Sequence, residues 1–207
     1  SRTVSLFISQ SGETADTLAA LRKANQQKNL TLGLVNAVGS AMARETTAGV
    51  YNHAGPEISV ASTKAFTSQL TILNLMALYL SPPEKTKEYH TELSSLPQKI
   101  EKVLKQKLTV RNLVKKYLKF NNFMFLGRKY NYPIALEGAL KLKEVGYVHA
   151  EGYSAGELKH GPLALVSPDF PIIALANKNS VYEKMLSNLE EIKSRRGKII
   201  AIATTGA

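Results

Sequence analysis

The sequence lacks cysteine and tryptophan, and it has no long apolar run. Without cysteine, the chain cannot form disulfides, thiolate metal sites or a cysteine nucleophile. The longest apolar stretch, Leu70 to Leu80, has 11 residues, whereas a membrane-spanning helix needs about 20. We therefore expect no membrane partner, and we interpret this stretch as a buried helix.

Acidic residues are also few, with 16 Asp and Glu against 27 Lys and Arg and a net charge of +11. Clustered Lys and Arg can bind nucleic-acid phosphates. However, residues 84–119 alone hold nine Lys and one Arg against four Glu, a net of +6, and apolar residues recur among them at helical spacing. This pattern indicates two solvated amphipathic helices. We expect no nucleic-acid partner, and the positive field suits an anionic substrate.

Apolar, β-branched segments alternate with helical segments, in a composition typical of a folded globular protein. The predicted strands are 3–9, 30–36, 122–127, 171–176 and 198–204, and the predicted helices include 14–28 and 181–195. Short apolar strands separated by helices indicate parallel pairing through right-handed crossovers.

The strand–helix–strand pattern occurs twice. Residues 6–8 superpose on 173–175, and 32–35 then fall on 199–202 without a gap. The repeat predicts an α/β fold with two lobes, 1–105 and 106–207, each a parallel sheet flanked by helices.

The turn from Ser9 to Thr14 (SQSGET) concentrates three hydroxyls and a glycine, unlike the corresponding turn 176–181. Such a turn lies at the carboxyl edge of a parallel sheet, where backbone N–H groups and the helix dipole face an anion. Helix capping alone would need one hydroxyl. The turn therefore favours a phosphate site over a plain capped helix, and it is not a Walker loop because no Gly-Lys-Ser/Thr follows.

Charged residues also occur inside the apolar segment Pro133–Val145. Glu137, Lys141 and Glu144 stand at i, i+4 and i+7, which places them on one helix face. Because nearly every other position is apolar or small, we predict a buried helix whose charges are paired or face a polar cavity, a candidate active site. The alternative is the solvent stripe of an ordinary amphipathic helix.

Two further segments resemble site loops. In residues 54–64 a Gly-Pro turn precedes Ser59, Ser62 and Thr63, and we expect one of these hydroxyls to cap the following helix. In residues 156–162, His160 stands between glycines, where its ring could act as an acid or base, although a lone histidine is more often inert. No His/Asp/Glu spacing suggests a metal site, and we expect no cofactor.

Four segments together are similar to the sugar isomerase (SIS) half of the glutamine:fructose-6-phosphate amidotransferases, the glucosamine-6-phosphate synthase family. They are SQSGET (9–14), GPEISVASTKA (55–65), LEGALKLKE (136–144) and AGELKHGPLAL (155–165). The resemblance extends in order over almost the whole chain. It implies two flavodoxin-like SIS lobes in a cytoplasmic homodimer, converting fructose 6-phosphate and ammonia to glucosamine 6-phosphate by proton transfer between C2 and C1.

The resemblance also assigns roles to individual residues. The residues that would bind the sugar phosphate or line the sugar site are Ser9, Gln10, Ser11, Thr14, Val60 and Ser62. Glu144 matches the base that moves the proton, and Lys141 is its neighbour near the reacting end. His160 matches the group that opens the sugar ring, reaching across from the partner subunit.

The chain also departs from the family pattern. Its first lobe starts one strand late, and neither the family's lysine-bearing C-terminal tail nor the glutaminase domain that supplies ammonia from glutamine is in the sequence. We therefore expect a fragment with little or no activity alone. Two alternatives remain: a related SIS deglycase or deaminase of amino-sugar phosphates, and a noncatalytic phosphosugar-sensing SIS protein.

Overall fold

The computed structural model describes residues 3–206. The chain forms two compact units, 1–101 and 102–207, which divide four residues before the predicted boundary between 105 and 106. Each unit contains one parallel sheet and helices packed on it. The predicted α/β class is confirmed.

The first unit contains a three-stranded sheet in the order β1-β2-β3. Its elements are β1 (Val4–Ser9), α1 (Ala15–Gln26), β2 (Leu30–Val35), α2 (Ala41–Glu45), β3 (Ala48–Tyr51), α3 (Lys64–Tyr79), a 3-10 turn (Pro83–Lys85), α4 (Lys87–Ser94) and the first part of α5 (Leu96–Leu104), whose last three residues belong to the second unit. Helix α1 has Asp16 in its first turn and Lys23 in its last, both favourable for the helix dipole. Lys28 then adopts a left-handed conformation (φ 58°) and lets β2 begin.

One face of the first sheet is covered by helices α1 and α2. Leu21 of α1, Val35 of β2 and Met42 of α2 are almost completely buried in one cluster. The opposite face of β1 carries apolar side chains that are 41–56% exposed: Val4, Leu6 and Ile8. Helix α2 was not predicted from the sequence pattern. It also packs against the 9–14 turn, where the Met42 N–H donates to the Gly12 carbonyl.

The second unit contains a four-stranded sheet in the order β5-β4-β6-β7. Its elements are α6 (Lys107–Lys115), β4 (Asn122–Gly127), α7 (Asn131–Gly146), β5 (His149–Ser154), two 3-10 helices (Ala155–His160 and Pro162–Leu165), β6 (Ile172–Ala176), α8 (Tyr182–Ser194) and β7 (Ile199–Ala203). Its central strands are buried, as parallel pairing requires.

The repeat relates β1–α1–β2 to β6–α8–β7. Leu6 pairs with Leu32, a separation of 26 residues, whereas Ile173 pairs with Ile200, a separation of 27. The ungapped superposition is therefore wrong by one residue. Within residues 3–206 the first unit has no counterpart of the opening strand β4, as predicted, and none of β5 either.

The predicted pair of basic amphipathic helices is replaced by three short ones, α4, α5 and α6. Their apolar residues remain largely exposed in the chain, for example Val103 at 67% and Leu108 at 69%. Helix α3 likewise buries only Ala65 fully, so the prediction that residues 70–80 form a buried helix is wrong for this chain. Periodicity identified the helices but not what packs against them.

Across residues 3–206, no helix combines the length and apolar character that crossing a membrane requires.

Candidate functional sites in the two units

The turn between β1 and α1 is stabilised by its own hydroxyls. The Ser9 Oγ accepts a hydrogen bond from the Gly12 N–H (2.9 Å), and the Ser11 Oγ accepts one from the Glu13 N–H (3.2 Å). Thr14 is the N-cap of α1, but its side chain makes no capping hydrogen bond. A plain capped helix therefore does not explain the threonine, whose exposed hydroxyl stands at the positive end of α1.

Gly12 is required for the packing of the turn. It is buried with φ +68°, and a Cβ there would lie 2.7 Å from Ser40 Cβ and 2.8 Å from Val35 Cγ2. Its carbonyl accepts from the Met42 N–H (3.0 Å), and the Glu13 carboxylate accepts from the Ala41 N–H (2.7 Å). These contacts fix the turn against α2.

The remaining groups of the turn suit an anion. Gln10 and Ser11 are partly exposed, and the Gln10 backbone is fixed by its carbonyl, which accepts from the Ala37 N–H (3.1 Å). The first turn of a helix presents N–H groups without intrahelical partners. Hydroxyls, a side-chain amide and these N–H groups can together hold a phosphate.

Helix α3 is capped by a carboxylate. The Glu57 Oε1 accepts from the N–H groups of Thr63 (3.1 Å) and Ala65 (2.8 Å), whereas the Thr63 side chain makes no capping bond. The predicted hydroxyl cap is therefore wrong, because a charged acceptor folded back from the preceding loop occupies the helix terminus. Glu57 was not predicted from the sequence, where its only signal was an acidic residue shortly before the helix.

The predicted sugar-site residues of this loop, Val60 and Ser62, differ in their exposure to solvent. Val60 is 91% exposed, Ser62 is partly exposed, and the Ser59 Oγ accepts from the Ala61 N–H (3.3 Å). The loop thus presents an apolar and a hydroxyl side chain close together in sequence.

Helix α7 packs through a narrow face of small residues. Ala135 and Ala139 are buried in a cluster that includes Phe125. Ile134, Leu136 and Leu140 are each more than 40% exposed, so the prediction of a helix buried all round is wrong for the described chain. The charged stripe is therefore only partly shielded from water.

The charges on α7 are paired, as predicted. The Lys141 Nζ lies 2.6 Å from Glu144 Oε2 and 3.3 Å from Glu137 Oε1, and the three side chains are 22–26% exposed. Burial lowers the pKa of Lys141, but hydrogen bonds to Glu144 and Glu137 and their negative charges outweigh burial and raise that pKa above its ordinary value. Lys141 is therefore a stable cation beside two carboxylates.

His160 lies at the end of the 3-10 helix Ala155–His160 and is exposed. The neighbouring Lys159 Nζ contacts Glu191 Oε1 of α8 at 2.8 Å, which fixes this helix to the unit. In the part of the chain that the structure describes, the imidazole has no hydrogen-bond partner. Its nitrogens are therefore accessible for proton transfer.

No group of three His, Cys, Asp or Glu residues within 3–206 is arranged to hold a metal ion. A cavity of about 560 Å³ lies between α3, α4 and α5, lined by Leu78, Tyr89 and Leu93 among others, and no predicted site residue lines it.

Known proteins resemble the chain over nearly its whole length. A glutamine–fructose-6-phosphate aminotransferase (isomerizing) from Chlorobaculum tepidum is 50% identical, covering 98% of this chain and 34% of that protein. A protein of the same name from Bacteroides thetaiotaomicron is 51% identical, again covering 98% of this chain and 34% of that protein. The chain thus spans about a third of the length of these curated relatives.

A solved structure agrees with this similarity. The C-terminal domain of glucosamine-fructose-6-phosphate aminotransferase from Francisella tularensis superposes with a TM-score of 0.93 at 41% identity, covering 97% of this chain and 58% of that one. The SIS domain family matches residues 1–79 and 116–207, which confirms the resemblance found in the sequence. The chain belongs to the SIS domain family.

Proposed function

We propose that the chain is the sugar isomerase part of a glucosamine-6-phosphate synthase, which binds fructose 6-phosphate and converts it with ammonia to glucosamine 6-phosphate. The observation that carries this proposal is the partly shielded Glu144 carboxylate held 2.6 Å from the Lys141 ammonium. The identity of about 50% with aminotransferases over 98% of the chain supports it independently.

Substrate recognition is assigned to the first unit. The Thr14 hydroxyl, the Ser11 hydroxyl and the Gln10 amide bind the phosphate together with the N–H groups that begin α1. Ser9 contributes to the same turn by fixing Gly12. Val60 and Ser62 contact the sugar from the loop before α3.

Proton transfer is assigned to Glu144. Ammonia adds to the C2 carbonyl and water leaves, which gives an imine at C2. Glu144 takes a proton from C1 while the imine nitrogen takes one from water, giving an enolamine. Glu144 then returns its proton to C2 while the C1 hydroxyl loses its proton to water and becomes the aldehyde. The Lys141 ammonium, 2.6 Å from the carboxylate, stabilises negative charge that develops at the reacting end.

Ring opening is assigned to His160, because an imidazole can give and take a proton near neutral pH. In the complete enzyme, His160 acts on the sugar bound by the partner subunit of a homodimer. A glutaminase domain supplies ammonia from glutamine, and the protein works in the cytoplasm.

Calorimetric titration of the complete protein with fructose 6-phosphate, followed by assay of ammonia-dependent product, tests the proposal. We expect a dissociation constant between about 1 μM and 1 mM and steady formation of glucosamine 6-phosphate. Binding without turnover would instead indicate a sensor. Net release of ammonia from glucosamine 6-phosphate, without the forward reaction, would indicate a deaminase.

A further inference from the structure

The loop between β3 and α3 is held at its base by two buried asparagines. The Asn36 Nδ2 donates to the Gly55 carbonyl and the Asn36 Oδ1 accepts from the Ala54 N–H, both at 2.8 Å. The Asn52 Nδ2 donates to the Ala65 carbonyl at 3.1 Å. Because buried amides lose much when they are unpaired, these bonds fix where the loop leaves β3 and where it enters α3.

Glu57 closes the loop between these two points. Its Oε1 accepts from the N–H groups of Thr63 and Ala65, six and eight residues further along the chain. Two of the intervening side chains pack little, since Ile58 is 97% exposed and Val60 is 91% exposed, whereas Ala61 between Val60 and Ser62 is buried. The hydrogen bonds of Glu57 and the buried Ala61 side chain therefore fix the path of residues 58–62, and the large apolar side chains of Ile58 and Val60 do not.

The carboxylate also changes what the start of α3 can bind. A helix N-terminus attracts anions through its free N–H groups and dipole. At α3 the Glu57 carboxylate already accepts from the free N–H groups. At α1 the side chain of the N-cap residue, Thr14, makes no such hydrogen bond. A phosphate is therefore directed to α1, and α3 serves to hold the loop.

We propose that Glu57 is a positioning residue, whose carboxylate caps α3 and holds residues 58–62 in the conformation that presents Val60 and Ser62 to the sugar. The inference rests on the proposed function, because it takes these two residues as sugar contacts. Glu57 itself stays on the helix terminus and does not touch the reacting atoms.

Three substitutions in the complete protein test this role. Glu57→Ala removes the acceptor and Glu57→Asp shortens its reach by one methylene, so both should raise the KM for fructose 6-phosphate about 10-fold while kcat stays within about 2-fold. Glu57→Gln keeps an acceptor oxygen at the same reach and should restore a KM close to that of the unmodified protein. Glu88→Ala, which removes the acidic residue in the first turn of α4, is the matched control and should change neither constant.

Hydrogen exchange at the Thr63 and Ala65 amides gives a second readout. Exchange should be faster in the Asp and Ala variants and unchanged in the Gln variant. If the Ala variant does not fold, the comparison of the Asp and Gln variants still tests the positioning role of Glu57. An unchanged KM despite faster exchange, or a collapse of kcat at constant KM, would overturn the inference while leaving the proposed function intact. Failure of the unmodified protein to bind fructose 6-phosphate would instead refute the proposed function.

Discussion

The two corresponding turns of the repeat, residues 9–14 and 176–181, use their polar side chains differently. In the second turn, Asn179 Oδ1 accepts from the Val181 N–H, and the Lys178 N–H donates to Thr204 Oγ1, both at 2.9 Å. In the first turn, the Thr14 hydroxyl makes no capping hydrogen bond at the start of α1. The same supersecondary unit thus uses the polar residues of one turn for structural hydrogen bonds, whereas under the proposed function the other turn also binds a ligand.

The units also differ in where acid–base groups are found. The paired Glu137, Lys141 and Glu144 lie on α7, which connects β4 and β5. The described part of the first unit has no counterpart of these strands. The proposed function assigns recognition to one copy and proton transfer to the other, and the following substitutions test that assignment.

The largest effect is expected at Gly12. Glycine→alanine there combines a left-handed φ with overlap against Ser40 and Val35, and these costs together amount to about 2–4 kcal/mol. Thermal denaturation should show a lower Tm for Gly12→Ala, and binding of fructose 6-phosphate should be lost.

Gly39→Ala is the matched control for this change. Gly39 has a similar φ (+74°), but nothing lies within 4 Å of the position that a Cβ would occupy there, so only the backbone cost of about 1–2 kcal/mol applies. Equal losses of stability in the two variants would contradict the packing role assigned to Gly12.

A smaller effect, on affinity for fructose 6-phosphate, is expected from removing a hydroxyl in the first turn but not in the second. Ser11→Ala removes a hydroxyl expected to contact phosphate, and hydrogen bonds to charged groups contribute about 1.5–3 kcal/mol. Calorimetry should therefore show about 10- to 100-fold weaker binding of fructose 6-phosphate. Ser180→Ala removes a hydroxyl from the second turn, where it accepts from Lys129 Nζ (3.1 Å), and should change affinity less than about 2-fold. Similar losses from both would show that the two turns are not functionally different.

The smallest effect concerns the ion pair between α1 and α2. Arg22 donates two hydrogen bonds to the Glu45 carboxylate (2.8 and 2.7 Å), and these bonds lower the pKa of Glu45. A lowered carboxyl pKa stabilises the fold above the unfolded pKa of about 4.3, and this contribution disappears as the pH falls through the lower folded pKa.

Glu45→Gln should therefore lower Tm slightly at pH 7, by about a degree. The difference from the unmodified protein should shrink as the pH falls below about 4.3 and vanish below the folded pKa of Glu45. A difference that persists or grows in acid would mean that Glu45 acts through packing instead.

Local patterns predicted much of this molecule. The strands β1 and β2 and the helix between them are found within about two residues of their predicted bounds, because apolar periodicity is a short-range signal. The pairing of Lys141 with Glu137 and Glu144 was likewise predictable, since residues three and four apart on a helix are neighbours.

The missed features depend on contacts between distant residues. Strand β3 has four residues, all exposed, and β5 mixes polar residues with Gly152, whose Cβ would lie 2.8 Å from Leu136 Cα of α7. Neither strand has an alternating pattern. The Glu57 cap depends on a loop path that spacing does not reveal, and the exposure of α7 depends on which elements pack against it.

Proton exchange catalysed by a Glu144→Gln variant of the complete protein shows directly whether the Glu144 carboxylate is the base. The variant keeps the shape of the side chain and the binding turn, so calorimetry should give an affinity for fructose 6-phosphate within about 3-fold of the unmodified protein. Exchange of the C1 hydrogen with D₂O, followed by NMR, should slow by about 10²- to 10⁴-fold because the general base is gone. Exchange at the original rate would contradict the assignment of proton transfer to Glu144.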